Sequence, residues 1–193
     1  AHIWDQAIEV TGTLAERYLE RRNLLPAPPD IRFHPRCPYM PQPRTVYQPA
    51  LLVAVRHISQ LVAIQRIFLD PTSADYLRKV ILGVPGSGAW RGRAGSSVLA
   101  IAEGFETADA FTRMHAIPCW ASLGARRLDQ LIITPGVTTL LIAEDNDPEG
   151  RRAAANAEQR YIRPGLSIER APPPSIYKDW AKAHDARERL RRI

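Results

Sequence analysis

The 193-residue chain has two cysteines, three lysines and no apolar run longer than about seven residues. Each shortage excludes something. Cys37 and Cys119 stand in unrelated contexts with no C-x-x-C pair, which argues against a disulfide framework and favours a reducing cytosol. His34 and Cys37 would need two more ligands to make a zinc site, and none lie nearby. The run at 49–55 is far short of the roughly 20 residues that span a bilayer. Residues 1–10 carry acids where a secretory signal needs an apolar core. A soluble cytoplasmic protein with no membrane partner is therefore expected. Its first residue is Ala, which implies processing or excision from something longer. The glycine-rich stretch 83–88 lacks the Lys-Ser/Thr that completes a phosphate-binding loop, so flexibility is its expected role.

What the chain does have is arginine, which supplies 23 of the 26 basic residues. Its planar fork suits anionic polymers, although Arg-for-Lys usage also follows genomic base composition. Residues 21–69 hold seven arginines against one acid, Asp30, and the remainder balances at 19 of each sign. The whole net charge of +6 thus lies in one early segment. With 45% hydrophobic residues, a chain of this length can bury a core without staples.

Apolar residues at 3–4 spacing over residues 2–22 predict a helix, stopped by Asn23 and the prolines that follow. Eight of the 17 prolines lie between Pro26 and Pro49, so that span reads as extended and loop-rich, with a short strand at 31–34. Strand-like runs at 50–55 and 61–69 suggest an antiparallel hairpin. Residues 74–82 read as a helix ending at Gly83, and the five glycines of 83–96 as a connector between two lobes. Beyond it the pattern becomes strand–helix repeats: strands at 97–102, 117–121, 138–143 and 166–169, helices at 107–115, 123–131, 150–162 and 178–192. Parallel neighbours need crossover helices, so the expected fold is α/β, a small, mostly parallel four-stranded sheet flanked by helices. A small α+β lobe with a hairpin precedes it. The expected domains are 1–92 and 93–193.

Ligands of open α/β sheets gather at the carboxyl ends of the strands, and acids occupy those ends here. The first strand of the repeat ends in Glu103-Gly104, the third runs into Glu144, Asp145, Asp147 and Glu149, and Asp179 follows the fourth. Crowded carboxylates repel one another and are costly away from water, so such a cluster calls for a cation; hard oxygen donors suit Mg²⁺ or Mn²⁺. Each piece also has a plainer reading. Glu-Gly after a strand makes an ordinary turn, and Asp-x-Asp before a helix suits capping. The conjunction at successive strand ends favours a site.

The strings around Glu103-Gly104-Phe105-Glu106-Thr107 and Asp145-Asn146-Asp147-Pro148-Glu149-Gly150 resemble a Toprim domain, the catalytic fold of DnaG-type primases and of type IA and II topoisomerases. The strand pair at 63–70, the Tyr18-Leu19 helix and Ile31 to Pro35 are similar to the Toprim primases of phages, plasmids and mobile elements. The resemblance implies a DNA primase, a nucleotidyltransferase of DNA replication that makes short RNA primers on single-stranded DNA from ribonucleoside triphosphates. It implies that Glu103 acts in proton transfer or metal contact, that Asp145 and Asp147 hold the metal, and that Asp179 supplies the acid of a third motif. Gly104 is the motif glycine. The third motif departs from the pattern, with Ala181 and Lys182 where a further acid is common and Asp185 as a substitute. A replicative helicase or a zinc-binding domain outside this chain is an implied partner.

Arginines must hold the polyanions that such an acidic site repels. Arg32, Arg66 on a strand and Lys79 on the following helix are the candidate template or nucleotide contacts, with Arg91 and Arg93 as alternatives. Trp90, Trp120 and Trp180 suit core packing better than base stacking, and the basic tail 187–192 reads as a solvated helix end. Rival readings are a Toprim nuclease, in which the same metals activate water, and a Toprim module that binds without turnover. A topoisomerase fits less well, since 193 residues leave no room for a catalytic-tyrosine domain.

Overall fold

The structure, a computed structural model, describes residues 2–192. It divides into two compact units, Ala1–Pro85 and Gly86–Ile193. Among the described residues no helix is long and apolar enough to cross a membrane.

In the first unit, β1 (Ile31–Tyr39), β2 (Val46–His57), β3 (Gln60–Leu69) and β4 (Tyr76–Gly83) form an antiparallel sheet in the order β1-β2-β3-β4. The hairpin is present and longer than its apolar runs: His57 pairs with Gln60 across a two-residue turn that puts Ile58 at φ 56. Pro35 and Pro38 are tolerated in β1 because it is an edge strand whose register slips between His34 and Cys37. The centre of β2 is buried on both faces. Ala50, Leu52 and Ala54 join Trp4, Ala7, Ile64 and Phe68 in one cluster. Leu51, Val53 and Val55 alternate to the other side and are equally enclosed.

Two expectations for this unit fail. Residues 2–22 are not one helix: α1 (His2–Asp5) and α2 (Leu14–Glu20) are separate, with Ile8 pairing to Phe33 as an isolated bridge between them. Gly12 sits at φ +74, and the Thr13 hydroxyl caps α2 by accepting from the Ala15 N–H at 3.2 Å. The 3–4 spacing is real but spans a break. Residues 74–82 are not a helix: Tyr76–Gly83 is strand β4, so Lys79 lies on it. Asp70 turns the chain here, its Oδ1 accepting from Thr72 N (3.0 Å) and Ser73 N (2.8 Å), and the β3 edge then pairs with Tyr76 and, past a register shift at Leu77, with Arg78 to Gly83. Ladder pairing overrode a helical spacing that was only local.

The second unit contains β5 (Val98–Ala102), α3 (Phe105–His115), β6 (Cys119–Ala121), a 3₁₀ turn (Ala125–Gln130), β7 (Thr139–Ala143), α4 (Pro148–Tyr161), β8 (Ser167–Arg170) and α5 (Trp180–Leu190). The four strands are all parallel, in the order β6-β5-β7-β8. The strand–helix reading of this half holds, except that residues 123–131 make a 3₁₀ turn. Leu99, Ile101, Leu140 and Ile142 pack with Ala153, Ala154 and Ala157 of α4 and with Leu128 and Leu131. Burying each large aliphatic side chain contributes about 1.5–3 kcal/mol. Ala100 and Ala102 point the opposite way, and α3 lies on β5, β6 and β7. Phe111 of α3 meets Trp180 of α5 edge-on at 5.4 Å. Trp90, Trp120 and Trp180 are all buried, as core residues. Both cysteines are enclosed as well, and burial pushes both thiols up.

Candidate active site

β5 and β7 are adjacent and parallel, Ala102 opposite Ala143, so the chain leaves both at the same edge of the sheet. Glu103 follows the first and the run from Glu144 to Glu149 the second. Glu103 is held from its own backbone, whose carbonyl accepts from Leu123 N (2.8 Å) and Gly124 N (3.3 Å). Gly104 is the N-cap of α3 with φ −99, a conformation open to other residues, and a Cβ there would make only ordinary contacts.

Gly150 is different. A Cβ there would lie 2.6 Å from the Asp145 carbonyl oxygen and 2.8 Å from the Asp145 Cβ. Only glycine lets the first turn of α4 close onto Asp145. Asp147 caps that turn, its Oδ1 accepting from Gly150 N at 2.8 Å. Asp179 does the same for α5, accepting from Lys182 N at 2.8 Å. The capping reading of these acids is therefore correct, and it coexists with the site: the caps fix where two of the carboxylates stand.

The electrostatics separate the acids. Asp145 is pushed up to about 7, first by burial and then by the negative charges of Asp179, Glu103 and Asp147. Its Oδ1 is buried and has no hydrogen-bond partner among the described residues. Glu103 is also raised, by burial first and then by Glu149 and Asp147, against an N–H from Ala125 and the charge of Lys178. Asp147 is held low by the Gly150 N–H and by Lys178, whose Nζ is 3.3 Å from its Oδ2. Glu103, Asp147 and Asp179 are thus close enough in charge to raise the Asp145 carboxyl. Glu144 does not join them; it is buried against Arg170, which also donates to the Arg151 carbonyl at 3.1 Å. Asp185, the substitute acid, pairs with Arg189 at 2.8 Å.

No three His, Cys, Asp or Glu side chains among the described residues are gathered closely enough to hold a metal ion alone. Mg²⁺ or Mn²⁺ in a nucleotide site needs only one or two carboxylates, completed by water and phosphate oxygens, and Asp145 and Asp147 could supply these. The bare Oδ1 of Asp145 and its raised pKa mark a missing positive charge, so the donor set fits such an ion.

The basic candidates are dispersed. Arg32 lies over the Trp4 ring at 4.9 Å and donates to the Trp4 carbonyl at 3.1 Å. Arg66 is buried, 8% exposed, and donates to the Pro38 carbonyl at 2.6 Å above Phe68, so it presents little surface. Lys79 is exposed on β4 with its Nζ 5.0 Å from the Tyr76 ring centre. Arg91 stacks on Trp120 at 4.1 Å, and burial lowers its pKa. Sequence reading missed two further residues. Arg36, over the exposed Tyr47 at 5.3 Å, becomes visible only once the hairpin register puts the two strands side by side. Asn146 reads in sequence as the spacer between two acids; its hydrogen bonds are described below.

A compact α/β unit with acids at the ends of neighbouring parallel strands defines a class, and the comparisons agree with it. Residues 98–189 match the family model described as Toprim domain, and residues 1–92 one described as a domain of unknown function. Residues 98–189 are thus similar to Toprim domains, and the fold of the chain is that of DnaG-type primase catalytic cores. The zinc-binding and RNA polymerase domains of Aquifex aeolicus primase superpose with TM-score 0.69 at 13% identity, over 99% of this chain and 58% of theirs. A DnaG primase catalytic domain bound to single-stranded DNA gives 0.65 at 14% identity, over 99% and 76%. The primase fragment of the bacteriophage T7 primase-helicase gives 0.57 at 15% identity, over 76% and 62%. The chain thus spans less than two thirds of the T7 fragment and of the Aquifex chain. At these identities the likeness shows the fold. Among curated proteins no sequence matches.

Proposed function

We propose that the chain is the catalytic core of a DNA primase, joining ribonucleotides on a single-stranded DNA template. One observation carries the reading: Asp145 is held at a pKa of about 7 by burial and by three neighbouring carboxylates, with one oxygen unpaired. A site built this way is short of a cation. Asp145 and Asp147 would hold Mg²⁺ or Mn²⁺, with Glu103 and Asp179 beside them; the ion would lower the pKa of an attacking hydroxyl and offset charge on the phosphates.

The protein's own contribution is placement and proton handling. Gly150 and the two helix caps fix the carboxylates. Glu103, raised first by burial and then by its acidic neighbours, is suited to take the ribose 3′-OH proton. Exposed cation–aromatic pairs in the first unit, Lys79 with Tyr76 and Arg36 with Tyr47, suit stacking of template bases and screening of their phosphates. Arg32 and Arg66 are engaged within that unit by Trp4 and by the Pro38 carbonyl, and Arg91 is the nucleotide contact proposed for the second unit. The DnaG primase catalytic domain bound to single-stranded DNA supports such a template for a protein of this fold. The T7 fragment, cut from a primase-helicase, supports a helicase partner outside the chain, and the zinc-binding domain of the Aquifex primase supports a zinc-binding one.

Incubating the chain with single-stranded DNA, four ribonucleotides and Mg²⁺ or Mn²⁺, and resolving labelled products on a gel, tests this. Primers that disappear in Asp145→Ala support it. Shortened DNA would instead indicate a nuclease, and binding with neither product a non-catalytic module.

A further inference from the structure

The loop that carries Lys178 and Asp179 to the site begins with Pro172, Pro173 and Pro174, which have no N–H to donate and offer carbonyls that need partners. Its base is closed by Trp180, whose Nε1 donates to the Ala171 carbonyl at 2.9 Å. Its middle is held from outside by Asn146. The Asn146 side-chain amide donates to the carbonyls of Tyr177 (2.8 Å), Pro173 (3.1 Å) and Pro174 (3.4 Å). Its backbone N–H donates to the Lys178 carbonyl at 2.6 Å. Three carbonyls around one NH₂ group leave no role there for an acceptor, so aspartate, the residue of nearest shape, is chemically wrong at this position.

Asn146 sits between Asp145 and Asp147, so the loop is tied to the one point in the chain flanked by both acids. We infer that Asn146 is the positioning residue that brings the Asp179 segment against the Asp145–Asp147 pair, so that the cation affinity of the site depends on its amide. The Lys178 carbonyl that accepts from the Asn146 N–H immediately precedes Asp179, so this bond holds the Asp179 backbone beside the Asp145–Asp147 segment. Lys178, on the same segment, reaches Asp147. The thin third motif is thus compensated: a single acid suffices if its backbone is pinned. The inference rests on the metal-dependent reading proposed above.

Mn²⁺ titration of the full chain without DNA or nucleotide, followed by electron paramagnetic resonance of the free ion, tests it in four proteins: wild type, Asn146→Ala, Asp179→Asn and the double variant. Loss of a residue that orients ligands commonly costs 10–100-fold in metal affinity. Asn146→Ala should weaken Mn²⁺ by about tenfold or more, and the double variant should bind no worse than Asp179→Asn. Independent structural damage would multiply the two losses, and that result, or an Asn146→Ala affinity within about twofold of wild type, overturns the inference. Asn146→Asp keeps the side-chain volume and must also weaken binding; tighter binding would mean that position 146 supplies a ligand and not a tie, and overturns it too. Wild-type chain that binds no Mn²⁺ at millimolar concentration overturns the metal reading and this inference together. Wild-type chain that binds Mn²⁺ but makes no primer overturns the primase reading alone.

Discussion

The two units carry their charge in opposite conditions. In the antiparallel unit the cations are largely engaged: Arg56 grips Asp30 through two bonds of 2.7 Å, Arg22 covers the Tyr18 ring at 3.8 Å, and Arg32, Arg66 and Arg78 lie over Trp4, Phe68 and Tyr39. In the parallel unit the acids at the strand ends are crowded together, and Lys178, mostly exposed, is the cation that reaches them. A charge that is stacked or bonded in the folded chain has little left for a ligand, while one that is crowded and underpaired is displaced from its ordinary pKa and responds strongly to any counter-ion. By this criterion the parallel unit, and not the more basic one, is where binding should change the protein most.

Asp145 offers the sharpest way to break that contrast. Its folded pKa of about 7 lies above the ordinary aspartate value of 3.8, so between the two the folded chain holds a proton that the unfolded chain has already released. The stability associated with it is full below the unfolded value and falls as pH rises toward 7. Asp145→Asn should therefore raise the melting temperature of the metal-free chain by several degrees at pH 8 and change it little at pH 4, while abolishing primer synthesis. A melting temperature that drops at pH 8 would show that Asp145 is already compensated.

Gly150→Ala comes next. The 2.6 Å approach to the Asp145 carbonyl leaves no room for a methyl group, so the variant should lose about 1–3 kcal/mol in denaturant unfolding, together with Mn²⁺ affinity. Unchanged stability would mean that α4 is free to move from Asp145. In the basic unit, Arg36→Glu with Lys79→Glu should weaken single-stranded DNA binding about tenfold and flatten its salt dependence, each lost phosphate contact removing about 0.7 from the slope. An unchanged slope would place the template elsewhere. The smallest effect is expected for Arg32→Gln, which gives up its stacking on Trp4, worth about 0.5–1 kcal/mol, and leaves DNA affinity intact. A large loss of affinity there would show that Arg32 still serves the template.

How much of this was legible beforehand depended on the range of the interaction involved. Parallel strands buried on both faces announce themselves as short apolar runs, and the acids that end them follow at once, so Glu103, Asp145, Asp147 and Asp179 could be placed from sequence. β4 could not, because Leu77, Val80 and Ile81 have helical spacing and only the neighbouring edge of β3 makes them a strand. The break at Gly12 was hidden by apolar residues on either side of it. Asn146 has no signature of its own, since its partners are carbonyls of residues 173, 174 and 177, about 30 positions away.

The two cysteines matter for how the molecule can be observed. Cys37 is 0% and Cys119 1% exposed, and burial holds both thiols in the protonated form that reacts slowly. The folded chain should therefore be almost silent toward maleimides. A cysteine introduced at Ile176, 80% exposed on the loop that Asn146 ties down, would be the one reactive thiol, and a dye attached there would report directly when that loop lets go.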